Sequence, residues 1–369
     1  MYQKGVSKIL MAKWSEIEKE QFSEVLVEWY EREKRELPWR ENTEAYRVWV
    51  SEIMLQQTQV DTVIPYFERF MSLFPTMKDF AYAPEEQILK AWEGLGYYSR
   101  VRNLQTAIRE VTEAYDGVVP QSKEAILSLK GVGPYTAGAI LSIAYNQPEA
   151  AVDGNVYRVY SRLMRIDDDI SKAKTRKVFE QAVNETISQD KPGAFNQALM
   201  DLGATICTPK NPKCDMCPVQ KYCRAYAEND IEKYPFKSKK LKTKQKYLVT
   251  AIIQSNDGRF LVQQRPSEGL LANLWMFPSI EEEKPVEDLV ESYQAGVSMP
   301  LYLNNQSLGK VKHVFSHLKW DVEIITGVMD EADLIEGYRL VTLEEMKVLP
   351  FPVPYQKVWQ LYLKTRSEL

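Results

Sequence analysis

The sequence predicts two domains of different class, an all-α domain followed by a smaller α/β domain. Three observations predict it. The first two-thirds of the 369-residue chain carries apolar residues at helical spacing with almost no strand alternation. A lysine-rich run then interrupts the pattern. After it the pattern becomes strand, turn, strand. Length agrees, since roughly 150 residues make a domain.

The helical pattern runs from Trp14 to about Ala227, and the all-α domain is assigned to residues 1–228. In "FSEVLVEWYEREKR", Phe22, Val25, Leu26, Trp29 and Tyr30 recur at the period of a helix face. A similar segment begins at Gln87-Ile88-Leu89, and Pro65, Pro75, Pro84 and Pro120 mark breaks. Residues 229–246, "NDIEKYPFKSKKLKTKQK", hold seven lysines against two acids. Such a run reads as a solvated linker that can also touch phosphates if its neighbour binds DNA. The α/β domain is assigned to 247–369. "YLVTAIIQ" and "RFLVQQR" flank Asn256-Asp257-Gly258 as strand, turn and strand. "VEIITGVM" is a further strand, and the last stretch includes a closing helix.

Composition narrows the function classes. With 44% hydrophobic and 27% charged residues the chain reads as globular, and a net charge of -4 supplies no global basic field. No apolar run approaches the roughly 20 residues of a membrane span. The first residues lack a secretory core, Met11 competes with Met1 as initiator, and a cytoplasmic protein is expected. The two histidines, His313 and His317, both come late. Acid–base chemistry in the first 300 residues therefore falls to carboxylates, tyrosine, lysine or water.

All four cysteines fall in "CTPKNPKCDMCPVQKYC", as Cys207, Cys214, Cys217 and Cys223. Four thiolates within one short lobe can wrap a single metal centre, and spacing alone leaves zinc and a 4Fe–4S cluster both open. The second feature is "LKGVGPYTAGAIL", with Gly131 and Gly133 ahead of Pro134 and Tyr135. A lone G-x-G is more often a plain helix–turn–helix connection. Here "VDGNVYRVYSRL" follows, with Asp153 placed as an N-cap. Together these stretches resemble the helix-hairpin-helix DNA glycosylases of the endonuclease III and adenine glycosylase (MutY) type.

The resemblance implies one 4Fe–4S cluster on the four cysteines, folding a loop whose Lys210, Lys213, Lys221 and Arg224 meet DNA phosphates. It implies that Gly131 and Gly133 seat the DNA backbone. It makes Asp153, with Asn155 beside it, the group that steadies positive charge on the sugar. Bifunctional members carry a lysine where this chain has Tyr135, and a tyrosine cannot form the imine that leads to strand cleavage. A monofunctional enzyme is expected.

"LPWRENTEAYRVWVSEIMLQQTQVDTV" contains Glu52 on a helix with Val48, Trp49, Ile53 and Leu55. A lone helical Glu is usually solvated, but an apolar surround would keep it protonated and able to donate. The stretch resembles adenine glycosylases, in which the matching glutamate protonates the ring nitrogen of a flipped adenine. The resemblance places Trp39, Arg40, Leu55, Val60 and Gln197 around that base, and Gln57 and Tyr97 in the opened stack.

"LLANLWMFPS" resembles the Nudix fold of MutT proteins, yet the metal-binding helix expected next is replaced by "IEEEKPVEDLVESYQ". A Nudix hydrolase is therefore not expected. In MutY enzymes this domain reads 8-oxoguanine, and Phe315, Ser316 and His317 form the matching "FSH" loop. The expected partner is duplex DNA carrying adenine opposite 8-oxoguanine or G. A monomer is expected, with replication or repair proteins as further partners. The competing readings are an endonuclease III-like enzyme and a non-catalytic iron–sulfur DNA-binding or redox-sensing protein.

Overall fold

The structure, a computed structural model, describes residues 14–238, 243–331 and 334–367. Met1, Met11 and residues 239–242 of the expected linker lie outside the described residues. Through its contacts the chain divides into two compact units, Met1–Tyr82 with Asn103–Lys239, and Ala83–Arg102 with Lys240–Leu369.

Helices α1 (Glu16–Glu33), α2 (Ala45–Leu55), α3 (Val60–Leu73) and α4 (Met77–Ala81) open the chain. Next come α5 (Glu85–Ala91), α6 (Ser99–Ala114), α7 (Lys123–Ser128) and α8 (Pro134–Tyr145). The series closes with α9 (Gly154–Met164), α10 (Arg176–Asn184), α11 (Pro192–Thr205) and α12 (Arg224–Ala227). Local chemistry sets their ends. Ser15 and Glu18 form a reciprocal capping box on α1, and Pro134 and Pro192 occupy first-turn positions of α8 and α11. The helical periodicity of the first segment is borne out in α1, where Phe22, Leu26 and Tyr30 are buried. Phe22 packs edge-on against Tyr160 of α9 and Phe195 of α11, which ties three helices into one core.

The described part of the lysine-rich run is more ordered than a solvated linker. Asp230 pairs with Arg165 at 2.6 Å, Tyr234 O accepts from Arg162, and Ile170 N donates to Phe236 O. Lys233 also reaches Asp230 at 3.5 Å and Lys246 pairs with Glu281 at 3.1 Å, so acids and lysines of the run are both engaged.

The second unit holds β1 (Lys244–Ser255), β2 (Phe260–Gln264), β3 (Trp275–Met276), β4 (Ser279–Glu282) and α13 (Leu289–Gly296). It continues with β5 (Tyr302–Leu303), β6 (Gly309–Val314), β7 (Leu318–Met329), β8 (Tyr338–Val341), α14 (Leu343–Val348) and α15 (Val353–Ser367). The sheet is mixed. Its order is β3-β2-β1-β7-β5, with β1 parallel to β7 in register from Lys244↔Leu318. Leu248 and Ile252 join one core with Trp320, Tyr355 and Val358, while Val249, Ala251 and Ile253 join another with Tyr293. Helices thus cover both faces, which explains why "YLVTAIIQ" is an unbroken apolar run rather than an alternating one.

Residues 83–102, from within the helical part of the sequence, pack in this second unit. Glu93 Oε1 accepts from Phe351 N at 2.8 Å, and Glu86 accepts from Trp275 Nε1 at 2.9 Å. Lys90 Nζ donates to Leu349 O at 3.1 Å.

Candidate active site

A cleft of about 650 Å³ in the helical unit collects most of the residues nominated from sequence. Helix α2 contributes Val48, Ser51, Glu52 and Leu55, the i, i+3, i+4, i+7 stripe that one helix face presents. Trp39, Arg40, Gln57 and Val60 line it from the flanking segments. Gly131, Gly133 and Tyr135 enter from the hairpin, Asp153 and Asn155 from the start of α9, and Gln197 from α11.

The hairpin is built by its glycines in two different ways. Gly131 sits at φ +79°, and a Cβ there would lie 2.8 Å from Asn103 Cβ, so only glycine fits without strain. Gly133 has an extended backbone and open space around it. It caps α8 without a side-chain bond, leaving first-turn N–H groups of α8 to face whatever approaches. Of the two glycines only Gly131 has a left-handed backbone.

Glu52 is 5% exposed, and a Glu52 oxygen accepts a hydrogen bond from the Tyr135 hydroxyl. Burial pushes its carboxyl up to about 7; Tyr135 and Arg40 pull it down and Asp153 pushes it up. Burial, with Glu52 and Asp153 nearby, raises the Tyr135 phenol well above its ordinary value. Tyr135 therefore keeps its proton and donates it. Sequence reasoning valued Tyr135 for the lysine it replaces; packing of α2 on α8 makes it a direct partner of the acid.

Asp153 caps α9: Oδ1 accepts from Val156 N at 2.7 Å and Oδ2 from Asn155 Nδ2 at 2.8 Å. Burial raises its carboxyl, while those hydrogen bonds and Arg158 work in the opposite direction. Asn155 Oδ1 in turn accepts from Arg158, which also reaches Gly203 O and Cys207 O at 2.7 Å. Arg158 was not foreseen, because an arginine on an amphipathic helix carries no local sign of what it will meet.

Gln57, at φ +59°, and Tyr97, at φ +47°, both adopt the left-handed region that non-glycine residues avoid. Tyr97 is 45% exposed and its hydroxyl contacts Ser316 Oγ within the second unit. Ser316 and His317 are exposed in the turn between β6 and β7. Phe315 turns inward, edge-on to Trp320 at 4.9 Å and to His313 at 4.5 Å. In the cleft, Trp39 packs edge-on against Phe67 at 5.6 Å, and Gln197 Nε2 is bonded to Gly193 O.

Cys207, Cys214, Cys217 and Cys223 line a second cavity, walled by Val159, Leu163 and Leu202. None is in a disulfide. The four thiols line one space, a donor set that fits an iron–sulfur cluster. Arg162 Nη1 donates to Cys207 Sγ at 3.3 Å. Burial raises the Cys217 thiol to about 12 and the Cys223 thiol to about 11, so metal binding must expel protons there.

Residues 50–185 match the profile of the HhH-GPD superfamily base excision DNA repair protein. Residues 249–361 match that of the NUDIX domain, and residues 207–223 that of the iron-sulfur binding domain of endonuclease III. The adenine DNA glycosylase of Rattus norvegicus is 36% identical over 94% of this chain and 78% of its own. That of Schizosaccharomyces pombe is also 36% identical, over 83% of this chain and 81% of its own. A solved thermostable thymine-DNA glycosylase, 28% identical, superposes with a TM-score of 0.51 over 57% of this chain and 97% of its own. The helical unit has the helix-hairpin-helix glycosylase fold and the sheet unit the Nudix fold. The cofactor is one 4Fe–4S cluster.

Proposed function

Because the chain belongs to the adenine DNA glycosylase family and is a base-excision-repair DNA glycosylase, we propose that it removes adenine paired with 8-oxoguanine or G in duplex DNA. It does so without cutting the strand. The observation that carries this reading is Glu52, buried, raised to about 7 and held by Tyr135 in one cleft with Asp153.

The two carboxyls divide the work by environment. Glu52 donates its proton to a ring nitrogen of the flipped adenine, which turns the base into a neutral leaving group. The bond from the sugar carbon to the base then breaks, and the electron pair leaves with adenine. Asp153, held by Val156 N and Asn155, steadies the cationic sugar. Water adds to that carbon, and the proton it loses restores the acid form of Glu52, leaving an abasic site. Tyr135 offers no amine for an imine, so the strand stays intact.

Trp39, Arg40, Leu55, Val60 and Gln197 form the walls for the extruded base. Gln57 and Tyr97, both locally strained, occupy the opened stack. Ser316 and His317 read 8-oxoguanine from the exposed β6–β7 turn. The four cysteines hold the 4Fe–4S cluster, which when bound fixes the fold of the loop carrying Lys210, Lys213 and Lys221.

The test is a labelled duplex with adenine opposite 8-oxoguanine, and cytosine opposite 8-oxoguanine as control. Cleavage of the adenine strand only after hot alkali is expected. Nicking at an oxidised pyrimidine, with no abasic product at adenine, would move the protein to the endonuclease III reading.

A further inference from the structure

Beyond the two carboxyls, a third buried acid lies behind the cleft, bonded to two arginines that line it. Asp201 lies on α11, one turn past Gln197, and its side chain is 3% exposed. Its carboxylate takes four hydrogen bonds from two arginines. Arg40 grips it with both ends of its fork, Nη1 to Oδ2 at 2.8 Å and Nη2 to Oδ1 at 3.0 Å. Arg35 adds Nε at 3.0 Å and Nη2 at 2.5 Å, both to Oδ1. Arg40 Nη1 also reaches Arg35 O, and its guanidinium lies 5.4 Å from the centre of the Tyr30 ring. Arg35 and Arg40 both line the cleft that contains Glu52.

Resting on the glycosylase reading above, we infer that Asp201 is a positioning residue: it clamps Arg35 and Arg40 in the base pocket and tempers their charge, so that Glu52 stays protonated. The groups that face Glu52 are Tyr135 from α8, Asp153 from the start of α9, and Arg40. Arg40 is the cation among them, and it favours the ionised acid. An arginine free to swing would lie nearer or farther at random. The fork on Asp201 gives it one place, and Asp201 leaves the trio with one net positive charge in place of two. Burial resists ionisation of Asp201, but the two guanidiniums outweigh burial and hold its carboxyl below the ordinary range. The carboxylate is therefore present wherever the enzyme works.

The test is single-turnover adenine release by the full-length, cluster-loaded protein from an adenine:8-oxoguanine duplex between pH 5 and 9. Asp201→Asn is expected to move the alkaline limb down by about one pH unit, which is about a tenfold loss at pH 8. At pH 5.5 release stays within about twofold of the parent. Asp201→Glu, which keeps the charge, retains the parent limb. A uniform loss at every pH, an unmoved limb, or an Asp201→Glu limb displaced like that of Asp201→Asn overturns the inference. If circular dichroism shows Asp201→Asn unfolded, Arg40→Met decides instead: the limb moves to higher pH, and an unmoved limb overturns the inference. Failure of the parent protein to release adenine removes the glycosylase reading and this inference together. Release by the parent with unmoved limbs removes only the role of Asp201.

Discussion

At Glu52 burial outweighs the pull of Tyr135 and Arg40, and the carboxyl rises to about 7. A general acid works only while it holds its proton, so base release should fall as pH rises through about 7 and level off below it. Single-turnover rates across that range check this. Glu52→Gln keeps an acceptor for Tyr135 but cannot give up a proton. Release should drop on the order of a thousandfold, while duplex binding by gel shift is retained. The same substitution should stabilise the fold at pH 8. A native carboxyl raised above its unfolded value binds the extra proton between about 4.5 and 7, so stability falls as pH climbs through that window. Removing the group recovers on the order of 3 kcal/mol above it, read from urea midpoints at pH 8 and pH 5. Tyr135→Lys should gain strand nicking in the absence of alkali. It should also slow base release, because an ammonium against Glu52 favours the ionised acid.

The α7–α8 hairpin shows how one element serves both fold and site. Gly131 is needed by its own backbone, at φ +79° and against Asn103, whereas Gly133 keeps the approach to the start of α8 open. Gly131→Ala should therefore destabilise the unit by about 1–3 kcal/mol. The cysteine loop is a second such element. It folds around a space lined by its four thiols and joins α9 through Arg158 and Arg162. Cys217→Ala, or oxidative loss of iron, should abolish visible absorbance and lower the melting temperature. DNA affinity should fall with it, since Lys210, Lys213 and Lys221 lose their placement. Colourless protein with stoichiometric zinc would contradict the cluster.

Across the whole chain, the units are not two consecutive halves. Residues 83–102 pack in the sheet unit, where Glu93 satisfies Phe351 N. Glu93→Ala should leave that amide without its carboxylate partner and cost about 1–2 kcal/mol, measured by urea unfolding of the full chain. Ser316 and His317 project from the β6–β7 turn, far along the sequence from the base-release chemistry. Replacing both with alanine should reduce the preference for adenine:8-oxoguanine over adenine:G severalfold and leave release from adenine:G within twofold of the parent. Equal losses on both duplexes would assign the loop to general DNA affinity instead.

Much of this molecule is written locally. Helical periodicity marked α1, and two short apolar runs flanking turn chemistry at Asn256-Asp257-Gly258 marked β1 and β2. Asp153 was legible as a cap because capping is settled within four residues. The cysteines were legible because a metal lobe is short, though spacing alone did not choose the metal. What no window of sequence contains is partnership at long range. Tyr135 lies 83 residues from Glu52, and Arg40 lies 161 from Asp201. The inward turn of Phe315 and the docking of 83–102 with the sheet depend likewise on packing between distant segments. By itself the sequence determined which residue types and local conformations were available. Only the tertiary structure decided which charges became neighbours and how far water was excluded from them, because desolvation and Coulomb energy depend on positions in space and not along the chain.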